Sequence, residues 1–286
     1  IDVYFTYNGT GANNFGLSVL TQPCSAVLCA DVSHLYVDES TAPETFTGCR
    51  LYPVLTKHGK IMLEELERTA RQFHSIHNPI PAVVTITQPT EFGTIYTVEE
   101  IREIARFCRK NEMYLHMDGA RYFNAAAALH VPLGYFTYNT GVDVLTLGGT
   151  KNGMMFGEAV VFFSTKGKEW RKYQLKRAMQ MSSKTRYIAA QFEAMISNEL
   201  WREIAGHANS MALIFESEIR NKSNLVVTHP VETNAVFLNM DEEMYQRLNA
   251  VVPFYKWGHQ TGEVRFMFSH DINEREIHQF IYKMNQ

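Results

Sequence analysis

The sequence predicts an α/β protein: a large, mostly parallel sheet domain followed by a smaller C-terminal α+β domain. Three observations carry this. Short β-rich runs alternate with helical patterns along the first half of the chain, which is the signature of strands linked by crossover helices. From about Thr165 the texture changes to long, charged helical stretches followed by short strands. A length of 286 residues, at about 150 residues per domain, suits two domains. The expected division is residues 1–164 for the large domain and 165–286 for the connecting helices and the small domain.

Element by element, Ile1 to Thr6 reads as a strand and Asn8-Gly-Thr-Gly-Ala-Asn-Asn14 as the turn into a helix. Strands follow at Ser25 to Ala30 and Ala82 to Gln88. Thr97-Val-Glu-Glu100 has capping-box form, and Ile101, Ile104, Ala105 and Cys108 keep helical spacing up to Asn111. Next come a strand at Tyr114 to Asp118, a helix from Gly119 to His130, and strands at Asp143 to Leu147 and Ala159 to Phe163. A helical region from Thr165 through Gly206 precedes a helix at Ala208 to Asn221 and strands at Leu225 to Thr228 and Ala235 to Asn239. Glu263 to Phe268 is the last strand. It leads into a helix over Asp271 to Met284, striped by Ile277, Phe280, Ile281 and Met284.

Composition narrows the function. Hydrophobic residues at 45% and charged residues at 20% are ordinary globular usage, and a formal net charge of −3 offers no broad basic field for a phosphate backbone, so no nucleic-acid partner is expected. Cys24, Cys29, Cys49 and Cys108 form no C-x-x-C pair and no disulfide framework; they read as reduced thiols in the cytoplasm. No apolar stretch approaches the ~20 residues of a membrane span. Ile1 to Tyr7 lacks the features of a signal peptide and reads as a strand entered mid-domain, so the chain is expected to lack an N-terminal segment. His74 and His77 form H-x-x-H without a carboxylate at zinc-site spacing, and read as loop histidines; no metal is expected. Tyr135, Phe136, Tyr138, Phe162 and Phe163 read as core or subunit-interface aromatics.

The chemistry gathers around one lysine. In Leu145-Thr-Leu-Gly-Gly-Thr-Lys-Asn-Gly153 an apolar strand ends in a Gly-rich turn carrying Lys151, and Tyr114-Leu-His-Met-Asp-Gly-Ala-Arg121 places Asp118 at the end of another. In α/β sheets that end is where ligands bind. A lysine for the Schiff base and an acid for the ring nitrogen are what pyridoxal 5′-phosphate chemistry needs from a protein. Asn8-Gly-Thr-Gly, between a strand and a helix, supplies backbone N–H groups, a hydroxyl and a helix dipole for a phosphate, although the same residues also make an ordinary strand-to-helix turn.

The ordered set Asn8-Gly-Thr-Gly, Ser33-His34, Thr87-Gln-Pro-Thr-Glu91, His116-Met-Asp-Gly-Ala-Arg121, Gly148-Gly-Thr-Lys-Asn-Gly153, Lys176-Arg177 and Val264-Arg265 resembles the low-specificity L-threonine aldolases over essentially the whole chain. That resemblance implies the aspartate-aminotransferase-like fold of the pyridoxal-phosphate-dependent beta-eliminating lyase superfamily, and a homodimer or homotetramer with shared active sites. It makes Lys151 the Schiff-base lysine and Asp118 the partner of the pyridine nitrogen. Gly9, Thr10 and Gly11 match the phosphate loop, and His34 the histidine stacked on the ring. Arg121 matches an arginine near cofactor and substrate, and equally suits a first-turn helix arginine paired with an acid. Arg265 matches the arginine that grips the substrate carboxylate in a bidentate fork, and equally an outward-facing strand residue. Lys184 resembles a basic residue near the phosphate of the adjoining subunit, with a solvated helix lysine the better reading.

One departure stands out. Many members carry a histidine after the strand that ends near Thr87, where this chain has Gln88-Pro-Thr-Glu-Phe92, leaving Thr90, Glu91 or water as base. The general base is therefore unassigned. The function the resemblance implies is retro-aldol cleavage of a β-hydroxy-α-amino acid, L-threonine or L-allo-threonine, to glycine and acetaldehyde. Its rivals are another pyridoxal-phosphate-dependent lyase acting by β-elimination, an aminotransferase on the same fold, or a non-catalytic protein that binds the cofactor.

Overall fold

The computed structural model describes residues 1–222, 225–257 and 262–284. The strands of the large sheet are β1 (Asp2–Thr6), β2 (Ser25–Ala30), β3 (Arg50–Val54), β4 (Ile80–Thr87), β5 (Tyr114–Gly119), β6 (Val144–Gly148) and β7 (Glu158–Phe162). They lie in the order β1-β7-β6-β5-β4-β2-β3. The five strands from β6 to β3 are parallel, while β7 pairs antiparallel with both β6 and β1. The sheet is thus mixed but mostly parallel, with the α/β alternation read from the sequence as its cause. Because β7 alone is reversed, its first residue, Glu158, shares an edge with the C-terminal ends of the parallel strands; it pairs with Gly148 on one side and Thr6 on the other.

Helices cover both faces. Helix α1 (Gly9–Leu20) starts earlier than its glycines suggest, because Asn8 caps it by accepting from the Gly11 N–H at 2.8 Å. Helix α2 (Val98–Lys110) has both halves of the capping box between Thr97 and Glu100. Helix α3 (Tyr122–Leu129) follows β5 directly. The span from Ala30 to Ala82, which shows little periodicity, folds into edge strand β3, a ribbon pairing Thr56–Lys57 with Lys60–Ile61, and a helix over Leu63–Ala70. The expected helical region after Thr165 is broken into Arg171–Arg177 and α4 (Arg186–Ser197), with Met179 and Glu199 at positive φ marking interruptions.

The second sheet holds β8 (Val226–Val227), β9 (Ala235–Asn239), β10 (Tyr255–Lys256) and β11 (Glu263–Met267), ordered β8-β9-β11-β10 and antiparallel throughout. Its core includes Phe215, Val236, Leu238, Val264, Phe266 and Ile281. Helix α5 (Leu200–Lys222) belongs to two cores at once. Trp201 and Ala205 pack with the large sheet, and Met211, Ala212, Phe215 and Ile219 with the small one.

Candidate active site

Five connections meet at the C-terminal edge of the large sheet. Asp118 ends β5, Lys151 follows β6, Glu91 follows β4, His34 follows β2, and the start of α1 follows β1. Together they line a cleft of about 530 Å³. Lys151, Asp118, His34, Gly9, Thr10, Arg121 and Arg265 all line it, and so do Thr90 and Glu91. Gly11 does not: its N–H is taken by Asn8, and a Cβ there would fall 2.4 Å from Gln180 Nε2. Lys184 is exposed and outside the cleft. His74 and His77 sit on an exposed loop.

The turn bearing Lys151 is fixed against β5. Asn152 donates its amide to the carbonyls of Ala120 at 3.0 Å and Gly148 at 2.8 Å, joining the lysine turn to the strand that carries Asp118. Gly148 is required for this approach, since a Cβ would come within 2.2 Å of the Ala120 carbonyl oxygen. Glu158 accepts from the Gly149 N–H at 2.6 Å, holding the turn from the other side. Lys151 itself opens onto the cleft. Desolvation by the walls, then the Arg121 guanidinium, pull its ammonium below the ordinary lysine range; Asp118 and Glu158 oppose the shift.

Asp118 is buried and doubly held. Its Oδ2 accepts from Asn13 Nδ2 at 2.9 Å and its Oδ1 from the Ala120 N–H at 2.9 Å. Asn13 also donates to Glu39 Oε1 at 3.1 Å, and that oxygen meets His34 Nδ1 at 3.0 Å. The chain Asp118–Asn13–Glu39–His34 thus ties three sequence-distant segments together. The Glu39 hydrogen bond, outweighing desolvation, raises the His34 pKa. Two residues before Asp118, on the same side of β5, His116 lies between Thr85 Oγ1 at 2.7 Å and Thr146 Oγ1 at 3.2 Å. Burial drops it to about 4, so it stays neutral as a strut.

Two arginines complete the wall. Arg121 is pulled down to about 10, first by desolvation and then by Arg265, while Glu91 and Asp118 counter the shift. Arg265, on β11, stacks its guanidinium 4.4 Å from the centre of the Trp257 ring, and its buried Nε has no hydrogen-bond partner among the described residues. The residues fit pyridoxal 5′-phosphate. A Cβ on Gly9 would meet no atom within 4 Å, so the chain leaves space beside the first N–H groups of α1. Orphaned buried atoms at Arg265 Nε and Glu91 Oε2 are polar groups left for something bound in the cleft. The sequence had given no sign of Trp257 or Glu39. Asn13 was findable, since it lies three residues beyond Thr10 and so on the same helix face.

The fold and this site define a class, the aspartate-aminotransferase-like α/β proteins. Aspartate aminotransferase from Thermus thermophilus superposes with a TM-score of 0.71 at 14% identity, covering 99% of this chain and 75% of that one. Within that class, the family profile described as Beta-eliminating lyase matches residues 2–243, and the chain belongs to that family. A low specificity L-threonine aldolase from a Pseudomonas species is 38% identical over 278 residues, 96% of this chain and 80% of its own length. The structure of a Leishmania major threonine aldolase matches with a TM-score of 0.92 and 28% identity, over 99% of this chain and 83% of that one.

Proposed function

We infer that this chain is a pyridoxal-phosphate-dependent lyase that cleaves L-threonine or L-allo-threonine to glycine and acetaldehyde. The observation that carries the reading is the meeting of Lys151, Asp118 and Arg265 in one cleft, supported by the likeness to threonine aldolases.

Gly9 and Thr10 at the start of α1 would hold the cofactor phosphate, Asp118 the ring nitrogen, His34 the ring face and Lys151 the aldehyde carbon. When bound, the cofactor supplies a sink for the electron pair released at the substrate Cα. Arg265 holds the substrate carboxylate and thereby selects which bond to Cα stands in line for cleavage. Trp257 stiffens that arginine by stacking beneath it. Asn13 and Ala120 keep Asp118 aimed, and Glu39 keeps His34 aimed. With its ammonium held below the usual range, Lys151 gives up and regains a proton at Nζ near neutral pH more readily than a solvated lysine.

The working unit of this reading is a homodimer or homotetramer acting on a small β-hydroxy-α-amino acid in the cytoplasm. Apolar side chains stand exposed at the cleft rim and beside it, Met155 at 86% and Tyr7 and Phe156 at just over 40%, as a covering subunit requires. Four free cysteines accord with a reducing compartment. Acetaldehyde release from L-threonine with added pyridoxal phosphate, run beside Lys151→Ala, tests the function. Wild type releases acetaldehyde, and Lys151→Ala falls by about 10³-fold or more. Near-normal release by the variant would overturn the mechanism.

A further inference from the structure

Aldol cleavage needs a group to take the proton of the substrate β-hydroxyl, and the cleft offers several carboxylates. Asp118 has both oxygens engaged, by Asn13 and by the Ala120 N–H. Glu158 is occupied by the lysine turn. Glu39 leaves Oε2 unpaired, but its Oε1 carries both Asn13 and His34, so its place is behind those two residues in the chain that orients Asp118. Asp38 is exposed to solvent, and its charge acts on Arg265. The Thr90 hydroxyl is shared with Thr94 Oγ1 at 2.7 Å and is not free.

Glu91 shares with Glu39 one held oxygen and one unpaired oxygen, but it is tied to the His34 backbone and Thr87 rather than to Asn13 and the His34 ring. The Glu91 Oε1 is pinned by the His34 N–H and the Thr87 hydroxyl, both at 2.9 Å, while its buried Oε2 has no hydrogen-bond partner among the described residues. One oxygen is fixed and the other is reserved. We propose that Glu91 is the acid–base residue of this site, which takes the β-hydroxyl proton as the Cα–Cβ bond breaks; the proposal rests on the aldol-cleavage reading above. In that step Oε2 gains the proton, the O–H bonding pair becomes the second bond of the aldehyde C=O, and the Cα–Cβ pair passes to Cα. Acetaldehyde leaves, Cα takes one proton from Lys151, and the proton on Glu91 returns to Lys151 through solvent. Glycine and acetaldehyde then carry every atom of threonine.

The surroundings suit the task. Burial lifts the Glu91 carboxyl to about 7, and Asp118 adds to the rise; the His34 N–H, its own backbone N–H and Thr87 hold it down. Arg121 is the cation that feels its charge. Cys29 and Tyr96, the other titratable groups beside it, are pushed well up by burial and stay neutral. A base with this midpoint is balanced between holding and releasing a proton at neutral pH.

The test compares holoenzyme with its Glu91→Gln variant in two reactions, acetaldehyde release from L-threonine across pH and exchange of the glycine α-hydrogen in D₂O. Glycine has no β-hydroxyl, so its exchange needs Lys151 and the cofactor but not Glu91. The expected result is a loss of about 10²- to 10⁴-fold in threonine cleavage. The rising limb of kcat/KM near pH 7 disappears with it, while glycine exchange is retained. Cleavage at wild-type rate with the limb intact overturns the proposal, and so does glycine exchange falling in parallel with cleavage, which would make Glu91 a strut for His34. A wild type that exchanges glycine yet releases no acetaldehyde overturns the aldolase reading itself.

Discussion

Replacing Asn13 by alanine removes one donor from two carboxylates. Asn13 is 2% exposed, and its Nδ2 reaches Asp118 Oδ2 at 2.9 Å and Glu39 Oε1 at 3.1 Å. A hydrogen bond to a charged group contributes about 1.5–3 kcal/mol. Each acceptor keeps a second partner, the Ala120 N–H for Asp118 and His34 for Glu39, so the low end applies to each bond. The sum is a loss of about 3 kcal/mol in unfolding free energy. Urea unfolding of Asn13→Ala beside wild type reads this directly. With a slope of about 3 kcal/mol/M, suited to a chain of this size, the midpoint drops by about 1 M at unchanged slope. Cofactor retention on dialysis should fall alongside, because Asp118 loses one of the two bonds that aim it. A midpoint shift below about 0.2 M, on the same slope, would refute the claim that this amide bridges the two carboxylates.

Other outcomes follow from the same geometry. Arg265→Leu is expected to raise the KM for threonine by about 10²-fold, from loss of a charge-assisted bidentate contact; unchanged kinetics would remove Arg265 from the substrate site. Glu39→Gln should lower the pKa of His34, followed by its NMR titration. Because the folded pKa of His34 is raised, its pairing with Glu39 adds stability that is fully present below the unfolded value of about 6.5 and is lost as pH rises through the folded pKa. The stability gap between wild type and Glu39→Gln should therefore be wide at pH 5 and narrow at pH 9, and a gap independent of pH would contradict the ion pair.

The parts of the candidate cleft that lie in contiguous motifs are legible from the residues. Lys151 and Asp118 stand at ends of apolar strands flanked by glycines and small residues, and parallel strands open at that end by topology. The capping box at Thr97 and the stripe of the terminal helix are local patterns and fold as read. What was not legible depends on tertiary pairing. Edge strand β3 includes Pro53, whose missing N–H weakens any strand signal, and it exists because β2 offers it a parallel partner. The breaks near Met179 and Glu199 fall beside Ser182-Ser183 and Ser197-Asn198, residues that favour turns and caps, and a reading of charge and periodicity alone runs straight through them. Glu39 gives no hint of its place behind His34, five residues away, until the short helix His34–Val37 carries the chain round between them. Gly11, matched to the phosphate loop by resemblance, packs against Gln180 and does not line the cleft, a placement invisible in the residue's identity.

Helix α5 has a further consequence. With Trp201 and Ala205 serving one core and Phe215 and Ile219 the other, neither core has a wall of its own along this helix. Melting the helix as a unit would strip a buried face from both, one from each half. The two sheets therefore share their fate on denaturation, and the lysine on one and the arginine on the other vanish in a single cooperative transition. A partly unfolded chain that keeps Lys151 ordered while losing Arg265 has no stable place on such a landscape, and activity should be lost at the same denaturant concentration as the fold.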